Sequence, residues 1–177
     1  MAKRITEEEI RRLYVRFQTP PHVIGHCREV ARVATGLAEA LNQHGFSFDL
    51  RLIQGAALVH DVARTQDEHW NVAADALEAM GYRDEADIVR VHMYYSFHPI
   101  DALNEADMVC LGDRLVKEDH YVGLDERISY ILHKAPNKPE IQKNILKNKE
   151  ATGKLLRQIE EKIGTTLDEM FSGEMRL

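Results

Sequence analysis

Apolar residues recur every three to four positions along almost the whole of this chain, and that spacing constrains its fold more than any other feature. It is the period of an α-helix that buries one face and exposes the other. No stretch shows the convincing alternation of apolar and polar residues that marks a half-buried strand. The sequence therefore predicts an all-α protein, a compact bundle of several helices whose apolar faces meet.

Capping residues, glycines and prolines mark where the helices begin and end. Thr6 followed by Glu9 is the capping-box signature of a first helix. Thr19 is the expected cap of a second helix, which ends at Gly45. Five further helices are predicted over residues 50–64, 67–81, 85–93, 102–118 and 123–134.

The stretch APNKPE, residues 135–140, breaks the helical pattern and is the best candidate for a linker. A long amphipathic helix is expected after it, from Ile141 to Gly164, with Gly153 as a weak point in its middle. We therefore predict a main domain over residues 1–135 and a C-terminal helical appendage over residues 136–177.

Composition and charge exclude several classes of protein. The 177 residues are the length of one domain, and two cysteines do not make a disulfide framework. The charged N-terminal stretch lacks the apolar region of a signal peptide, and no apolar run is long enough to span a membrane, so we expect a cytoplasmic protein that binds no membrane. The net charge of −6 argues against nucleic acid as a partner but not against a small phosphorylated molecule.

Several ionisable residues interrupt the apolar helix faces, where burial without partners is expensive. His60 and Asp61 stand side by side at the end of the apolar run GAALV. The other positions of this kind lie on four further predicted helices: His26, His69, His92 and Asp113. A single histidine on an apolar face is more often a hydrogen-bonded core residue. Their recurrence in order along one helical chain favours a shared site.

Imidazole nitrogens and carboxylate oxygens suit divalent transition metals. Four imidazoles and two carboxylates exceed what one tetrahedral zinc ion needs. They are enough for two ions that share a bridging carboxylate, and Asp61 is the natural bridge because His60 fixes it beside the metal. We expect one or two ions, with iron or manganese favoured and zinc, cobalt and nickel as alternatives. Four of the remaining histidines are interpreted as surface residues: His22, His44, His120 and His133. His98, beside Pro99, is interpreted as a loop residue, with a pocket-lining role as the alternative.

The order His26, His60-Asp61, Asp113 resembles the H…HD…D signature of the HD superfamily of metal-dependent phosphohydrolases, over roughly residues 20–130. His69 in EHWNVAADAL and His92 in IVRVHM resemble the two additional histidines of its dinuclear branch. The stretch LGDRLVKEDHYVGLDERI is similar to a segment of small bacterial HD domains fused to molybdenum-cofactor nucleotidyltransferases. Small HD domains that split diadenosine polyphosphates are also similar.

This resemblance implies an HD-type helical bundle with a central metal site. It implies one set of ligands for the first ion and another for the second, with Asp61 in contact with both ions: His26, His60, Asp61 and Asp113 for the first, His69 and His92 for the second. Arg64 stands where the family often carries a phosphate-binding cation, although a solvated cation at a helix end is an equal interpretation. Arg114 and Lys117 are candidates for a second phosphate contact, with a solvated face as the alternative for Lys117.

The resulting hypothesis is a phosphohydrolase that cleaves a phosphoester or phosphoanhydride bond of a nucleotide-type substrate by metal-activated hydroxide, with Asp61 and Arg64 as catalytic residues. One alternative is an HD module that binds metal or nucleotide without turnover. Another is a helical interaction protein with core histidines. Tyr94, Tyr95 and Phe97 suit either a substrate pocket or core packing. The substrate, a homodimeric state and the role of the C-terminal helix stay open.

Overall fold

The computed structural model describes residues 2–135 and 137–173, and within them the chain is mostly helical, as predicted. Nine α-helices account for most of these residues: α1 Glu7–Arg16, α2 Pro21–Asn42, α3 Leu50–Val59, α4 His69–Ala79, α5 Arg83–Val91, α6 Glu105–Leu115, α7 Gly123–Lys134, α8 Pro139–Ile163 and α9 Leu167–Phe171. Two short 3-10 helices lie at His92–Tyr94 and Ile100–Ala102. A small antiparallel hairpin joins β1 Val116–Lys117 to β2 His120–Tyr121.

The main core is built around α2, which packs most extensively against α3 and α6. Val33, Leu37 and Leu41 repeat along its buried face and are fully shielded from solvent. Gly112 lets α6 approach α2 closely, because a Cβ atom there would lie only 3.0 Å from the Val30 carbonyl oxygen. The close contact fixes the position of the next residue, Asp113.

A second apolar cluster is formed by α1, α4 and α5. Leu13, Leu77 and Tyr82 are among its most buried side chains. The end of α3 lies between the two clusters, since Ala57 belongs to the main core and Val59 to the second cluster. The segment that carries His60 and Asp61 therefore leaves α3 at the junction of the two cores.

Several predicted helix boundaries are wrong, and the differences have local causes. The third helix ends at Val59 instead of residue 64, because tight turns follow, with Arg64 N donating to Asp61 O at 2.9 Å. Thr19 does not cap α2; Pro20 takes that position, and the Thr19 hydroxyl donates to Val62 O at 2.7 Å. That hydrogen bond ties the start of α2 to the turn after Asp61.

The sixth helix ends at Leu115, and the chain turns into the unpredicted β1–β2 hairpin. Each of its strands has two residues, which is too short for a visible alternation of apolar and polar residues. Glu118, between the strands, has a left-handed backbone conformation with φ 55°. The hairpin turn is held over the N-terminal part of α2, where it contacts His26.

The C-terminal helix α8 is continuous through Gly153. Its second half contributes Leu155, Leu156 and Ile159 to the main core, whereas Ile141 and Leu146 in its first half are exposed. The short helix α9 follows, which the periodicity did not reveal. The division of the chain near residue 135 stays a prediction. No helix in the described part of the chain combines the length and apolar character needed to cross a bilayer.

Candidate metal centre

The predicted metal-site residues come together in one place, from separate elements of the bundle. His26 lies on α2, His60 caps the end of α3, and Asp61 follows in the turn. The remaining members come from α4, from the 3-10 turn after α5, and from α6: His69, His92 and Asp113. We call these six residues the candidate metal centre.

On one side of the candidate metal centre, His26 and His60 lie close to both Asp113 and the Oδ2 atom of Asp61. His26 Nε2 lies 3.0 Å from Asp113 Oδ1 and 3.9 Å from Asp61 Oδ2. His60 Nε2 lies 3.6 Å from Asp113 Oδ1 and 3.7 Å from Asp61 Oδ2. These atoms are close enough to coordinate a common ion with small adjustments.

The other side uses the second oxygen of the same carboxylate. Asp61 Oδ1 lies 3.0 Å from His69 Nε2 and 3.4 Å from His92 Nε2. The donor atoms of His26, His60 and Asp61 form one metal-sized group, and those of Asp61, His69 and His92 form another. Asp61 thus presents one oxygen to each group, which is what a bridging carboxylate requires.

Backbone carbonyls orient three of the imidazoles from behind. The Nδ1 atoms of His26, His60 and His92 lie 2.7 Å from the carbonyl oxygens of Glu118, Ala57 and Val89, respectively. A carbonyl only accepts hydrogen bonds, so each Nδ1 carries a proton and, in the neutral ring, Nε2 keeps its lone pair. This arrangement fixes the tautomer that a metal-binding histidine needs.

The Nε2 atoms of His60, His69 and His92 are buried and make no well-aligned hydrogen bond, although His69 Nε2 lies 3.0 Å from Asp61 Oδ1. A buried polar atom without a partner costs roughly 1–3 kcal/mol, and such atoms are rare. Three of them converging beside two carboxylates do not fit the interpretation of these residues as satisfied core histidines. They fit metal ions, which would accept all three lone pairs together.

The candidate metal centre keeps its carboxylates ionised. Burial by itself raises the pKa of Asp61 and of Asp113, but the surrounding imidazoles outweigh it and hold both pKa values well below the usual range. For His60 burial lowers the pKa, while Cys27 and Asp61 raise it, and the result lies well above the usual value. The negative charge of both carboxylates is therefore available to offset a bound cation.

A cavity of about 680 Å³ opens onto the candidate metal centre, so a small molecule can reach it. Arg64 lines this cavity, with Nε 3.8 Å from Asp61 Oδ2 and a half-exposed side chain. That position suits a phosphate contact and a solvated cation equally. His22, which the sequence indicated as a surface residue, is exposed but also lines the cavity.

Neither Arg114 nor Lys117 lines this cavity, although both follow Asp113 closely in the sequence. Arg114 Nη2 instead donates to Tyr95 O at 2.9 Å, and its guanidinium lies 4.4 Å from the centre of the Phe97 ring. Lys117 Nζ lies 3.5 Å from Glu126 Oε1. Arg114 lines a second cavity of about 710 Å³, between the segment after α5 and α8, together with the aromatic residues considered for a substrate pocket: Tyr94, Tyr95 and Phe97.

Sequence reasoning missed three residues of α7 that line the cavity on the candidate metal centre: Arg127, Tyr130 and Lys134. They share one face of the helix because they are spaced at i, i+3 and i+7. That spacing was visible in GLDERISYILHK, but a cationic stripe on a helix has the same pattern when it faces only water. We call these three residues the α7 basic face.

In comparisons with known proteins, the candidate metal centre lies within the part of the chain that matches a protein-family model. A family model described as the HD domain matches residues 23–118, a span that contains all six residues of the centre and ends before α7. The uncharacterized protein MJ0778 of Methanocaldococcus jannaschii is 26% identical, in an alignment that covers 73% of this chain and 87% of the relative. No solved structure matches the chain significantly. The cluster of histidines and aspartates within this span is consistent with the metal site of HD domains.

Proposed function

We propose that this chain, which belongs to the HD domain family, is a metal-dependent phosphohydrolase that cleaves a phosphoester or phosphoanhydride bond of a nucleotide-type substrate. HD domains are typical of metal-dependent phosphohydrolases. The observation that carries the proposal is the pair of donor groups sharing Asp61 at the base of an open cavity. A structural metal site would be closed on all sides, whereas a catalytic site leaves room for substrate.

The two donor groups support a set of ligands for each of two ions, and the 3.0 Å distance between His26 Nε2 and Asp113 Oδ1 is the reason to add Asp113 to the first set. His26, His60, Asp61 and Asp113 would hold the first, and Asp61, His69 and His92 the second, with iron or manganese as the favoured metals. When bound, such ions polarise phosphoryl oxygens and lower the pKa of a coordinated water. The carbonyl contacts behind His26, His60 and His92 keep the ligand geometry fixed before substrate arrives.

Arg64 supplies the cation on the substrate side of Asp61. Hydrolysis joins the water oxygen to phosphorus and breaks the bond from phosphorus to the leaving oxygen, which takes up a proton. Negative charge grows on the phosphoryl oxygens during that exchange, and a guanidinium within reach offsets it. Because Arg64 is half exposed, it can turn from Asp61 toward a phosphate without leaving a buried charge unpaired.

The cavity dimensions support a small phosphorylated molecule as the partner. A volume of about 680 Å³ falls in the range of pockets that enclose nucleotide-sized ligands. The net charge of −6 disfavours a nucleic-acid backbone. A cytoplasmic location is a further expectation of the same proposal, and a homodimer is one of the oligomeric states that stay open.

The test combines metal analysis with a hydrolysis screen on wild type and Asp61→Ala. The screen covers nucleoside phosphates, dinucleoside polyphosphates and cyclic dinucleotides, with iron, manganese, cobalt, nickel and zinc supplied separately. We expect metal-dependent release of phosphate or nucleotide by wild type, and loss of metal and turnover in the variant. An Asp61→Ala protein with full metal content and full hydrolysis would refute the proposal. Metal binding without turnover of any substrate would favour a non-catalytic HD module.

A further inference from the structure

The cavity on the candidate metal centre has a second side, formed by the α7 basic face, which lies outside the residues that the family model matches. Arg127 and Lys134 bring two positive charges to this side, seven positions apart on one helix face. The histidines and aspartates of the candidate metal centre therefore line one side of the cavity, and the cations of α7 line the other. A ligand that enters it meets both.

Tyr130 gathers cations around its ring. Lys134 Nζ lies 4.3 Å, Lys117 Nζ 5.1 Å and Arg127 Cζ 5.6 Å from the ring centroid. Each distance falls within the range of a cation–π contact. With cations around it, the ring is a poor stacking surface for a nucleobase. Its role is to hold several like charges close together, where an anion is the natural counterpart.

The two cations of the α7 basic face lack counterions among the described residues, unlike Arg64, which lines the same cavity beside Asp61. Lys117 pairs with Glu126, but neither Arg127 nor Lys134 forms an ion pair with any residue in the described ranges 2–135 and 137–173. Arg127 Nε is buried and makes no hydrogen bond. In a chain with 29 acidic residues and 23 lysines and arginines, unpaired cations of this kind indicate a site for an external anion.

Two acidic residues of the cavity, Glu118 and Asp119, do not neutralise the α7 basic face. Both lie on the turn between β1 and β2, and neither pairs with Arg127 or Lys134 among the described contacts. The Asp119 carboxylate is instead engaged by His120 Nδ1 at 2.5 Å. The positive charge of α7 therefore stays available to a ligand.

We propose that the α7 basic face binds a second, non-scissile phosphate of the substrate, so that the preferred substrates carry at least two phosphates. This inference rests on the proposed function, since it places the scissile phosphate at the candidate metal centre and Arg64. The guanidinium of Arg127 can make paired hydrogen bonds to phosphate oxygens, and Lys134 adds a mobile point charge. The second phosphate is either the next one in a phosphate chain or one on another carbon of the sugar.

A binding experiment tests the α7 basic face without any catalysis. Metal-free protein, prepared with chelator, is titrated calorimetrically with inorganic pyrophosphate at fixed ionic strength. Arg127→Ala/Lys134→Ala should weaken binding roughly ten-fold or more, because two charged contacts are removed. The matched control is Lys143→Ala/Lys147→Ala, which removes the same charge from exposed positions on α8, and its affinity should equal that of wild type. Equal affinity in all three proteins would overturn the inference.

A kinetic experiment on metal-loaded protein then identifies the source of the second phosphate. It compares kcat/KM for a nucleoside 5′-monophosphate, a 5′-diphosphate and a 3′,5′-bisphosphate. Wild type should favour one of the last two over the monophosphate by roughly ten-fold, and the double variant should lose that preference through KM. Lys134→Gln, a change at an exposed side chain that leaves the fold intact, should lose part of it. A preference that survives in both variants would contradict the inference.

The two proposals fail separately. Loss of pyrophosphate affinity in the double variant, with no turnover of any substrate by wild type, would leave the anion site standing and refute the proposed hydrolase. Turnover that depends on metal and on Asp61, with unchanged pyrophosphate affinity in the double variant, would do the reverse.

Discussion

The candidate metal centre and the α7 basic face line the same cavity, yet they are built in opposite ways. The centre draws its side chains from several elements, buries three of its six residues and fixes three imidazoles with carbonyl contacts at 2.7 Å. The α7 basic face comes from one helix, and Lys134 on it is exposed. Metal coordination needs donor atoms placed to a fraction of an ångström, whereas charge attraction to phosphate tolerates movement. The difference predicts that the centre controls stability and turnover, and that the α7 basic face controls substrate preference.

Removing metal should produce the largest effect on stability, because three buried imidazole nitrogens lose their partners at once. An ion present at 100–1,000 times its dissociation constant stabilises the fold by about 3–4 kcal/mol, and a chelator removes that stabilisation. Thermal and denaturant unfolding with and without chelator measure the change. Arg127→Ala/Lys134→Ala should show the same chelator effect as wild type. An unfolding midpoint that does not change with chelator would contradict the prediction that the candidate metal centre, and not the α7 basic face, controls stability.

His69→Ala should separate the two donor groups. It removes a ligand from the His69–His92 side only, so about one equivalent of metal should remain on the His26–His60 side. Turnover should fall by roughly a hundred-fold, as expected when one of two cooperating ions is lost. Metal content and kcat/KM are the measurements, and His133→Ala, at an exposed histidine of α7, is the control. Loss of all metal, or retention of two ions, would show that the groups do not act separately.

Two glycine-to-alanine substitutions should change stability in opposite directions. At Gly112 a Cβ atom would lie 3.0 Å from Val30 O and from Ala34 Cβ, so α6 must move away from α2, at about 1–3 kcal/mol. Because Asp113 is adjacent, metal affinity should fall as well. At Gly153 the nearest atoms lie 3.5 Å and 3.6 Å away, so alanine should stabilise α8 by up to about 1 kcal/mol. Denaturant unfolding of both variants checks the pair, and equal effects would contradict the close packing of α6.

Acid sensitivity that arises outside the cavity has to be separated from that of the candidate metal centre. Hydrogen bonds from Tyr82 and Thr6 lower the pKa of Glu9 to about 2. Its folded-state pKa lies below its ordinary value of 4.5, so the ionised Glu9 stabilises the fold above that pH and the stabilisation is lost as the pH falls toward 2. After allowance for solvent screening the effect is below about 1 kcal/mol.

Unfolding of wild type and Glu9→Gln between pH 7 and pH 2 measures this contribution. Wild type should be the more stable protein near neutral pH, and the difference should disappear at the acid end. A difference that persists unchanged to pH 2 would contradict the assignment. The acid sensitivity that remains in Glu9→Gln belongs to the carboxylates of the candidate metal centre and to other groups.

Helical spacing predicted that His26, His60 and Asp113 face inward. The inclusion of Asp61, His69 and His92 rested on their order along the chain and on the resemblance to the HD superfamily. The sequence was not sufficient for the end of α3, since the turns after Val59 depend on contacts such as Thr19 with Val62 O. Arg114 and Lys117 were considered because they lie near Asp113 along the chain. A residue next to an inward-facing one points about 100° away on a helix, and Arg114 accordingly binds Tyr95 O instead.

The α7 basic face could not be distinguished from a solvated helix face in the sequence. Whether this face lines the cavity depends on the direction of the chain after α6, which the β1–β2 hairpin sets. A hairpin with two residues per strand shows no periodicity in the sequence. Ionisable residues on an apolar helix face can be recognised in the sequence, because the residues around them are apolar. Cations on a surface helix have no such apolar surroundings, so only the tertiary structure shows which of them face a cavity.

Anomalous diffraction from crystals of manganese- or iron-loaded protein would test the central claim, that Asp61 bridges two ions, most directly. We expect two anomalous peaks about 3.5–4 Å apart. One should lie beside His26 and His60, the other beside His69 and His92, with the Asp61 carboxylate between them. A single peak at full metal loading, or two peaks with Asp61 bound to neither, would contradict the proposed dinuclear centre.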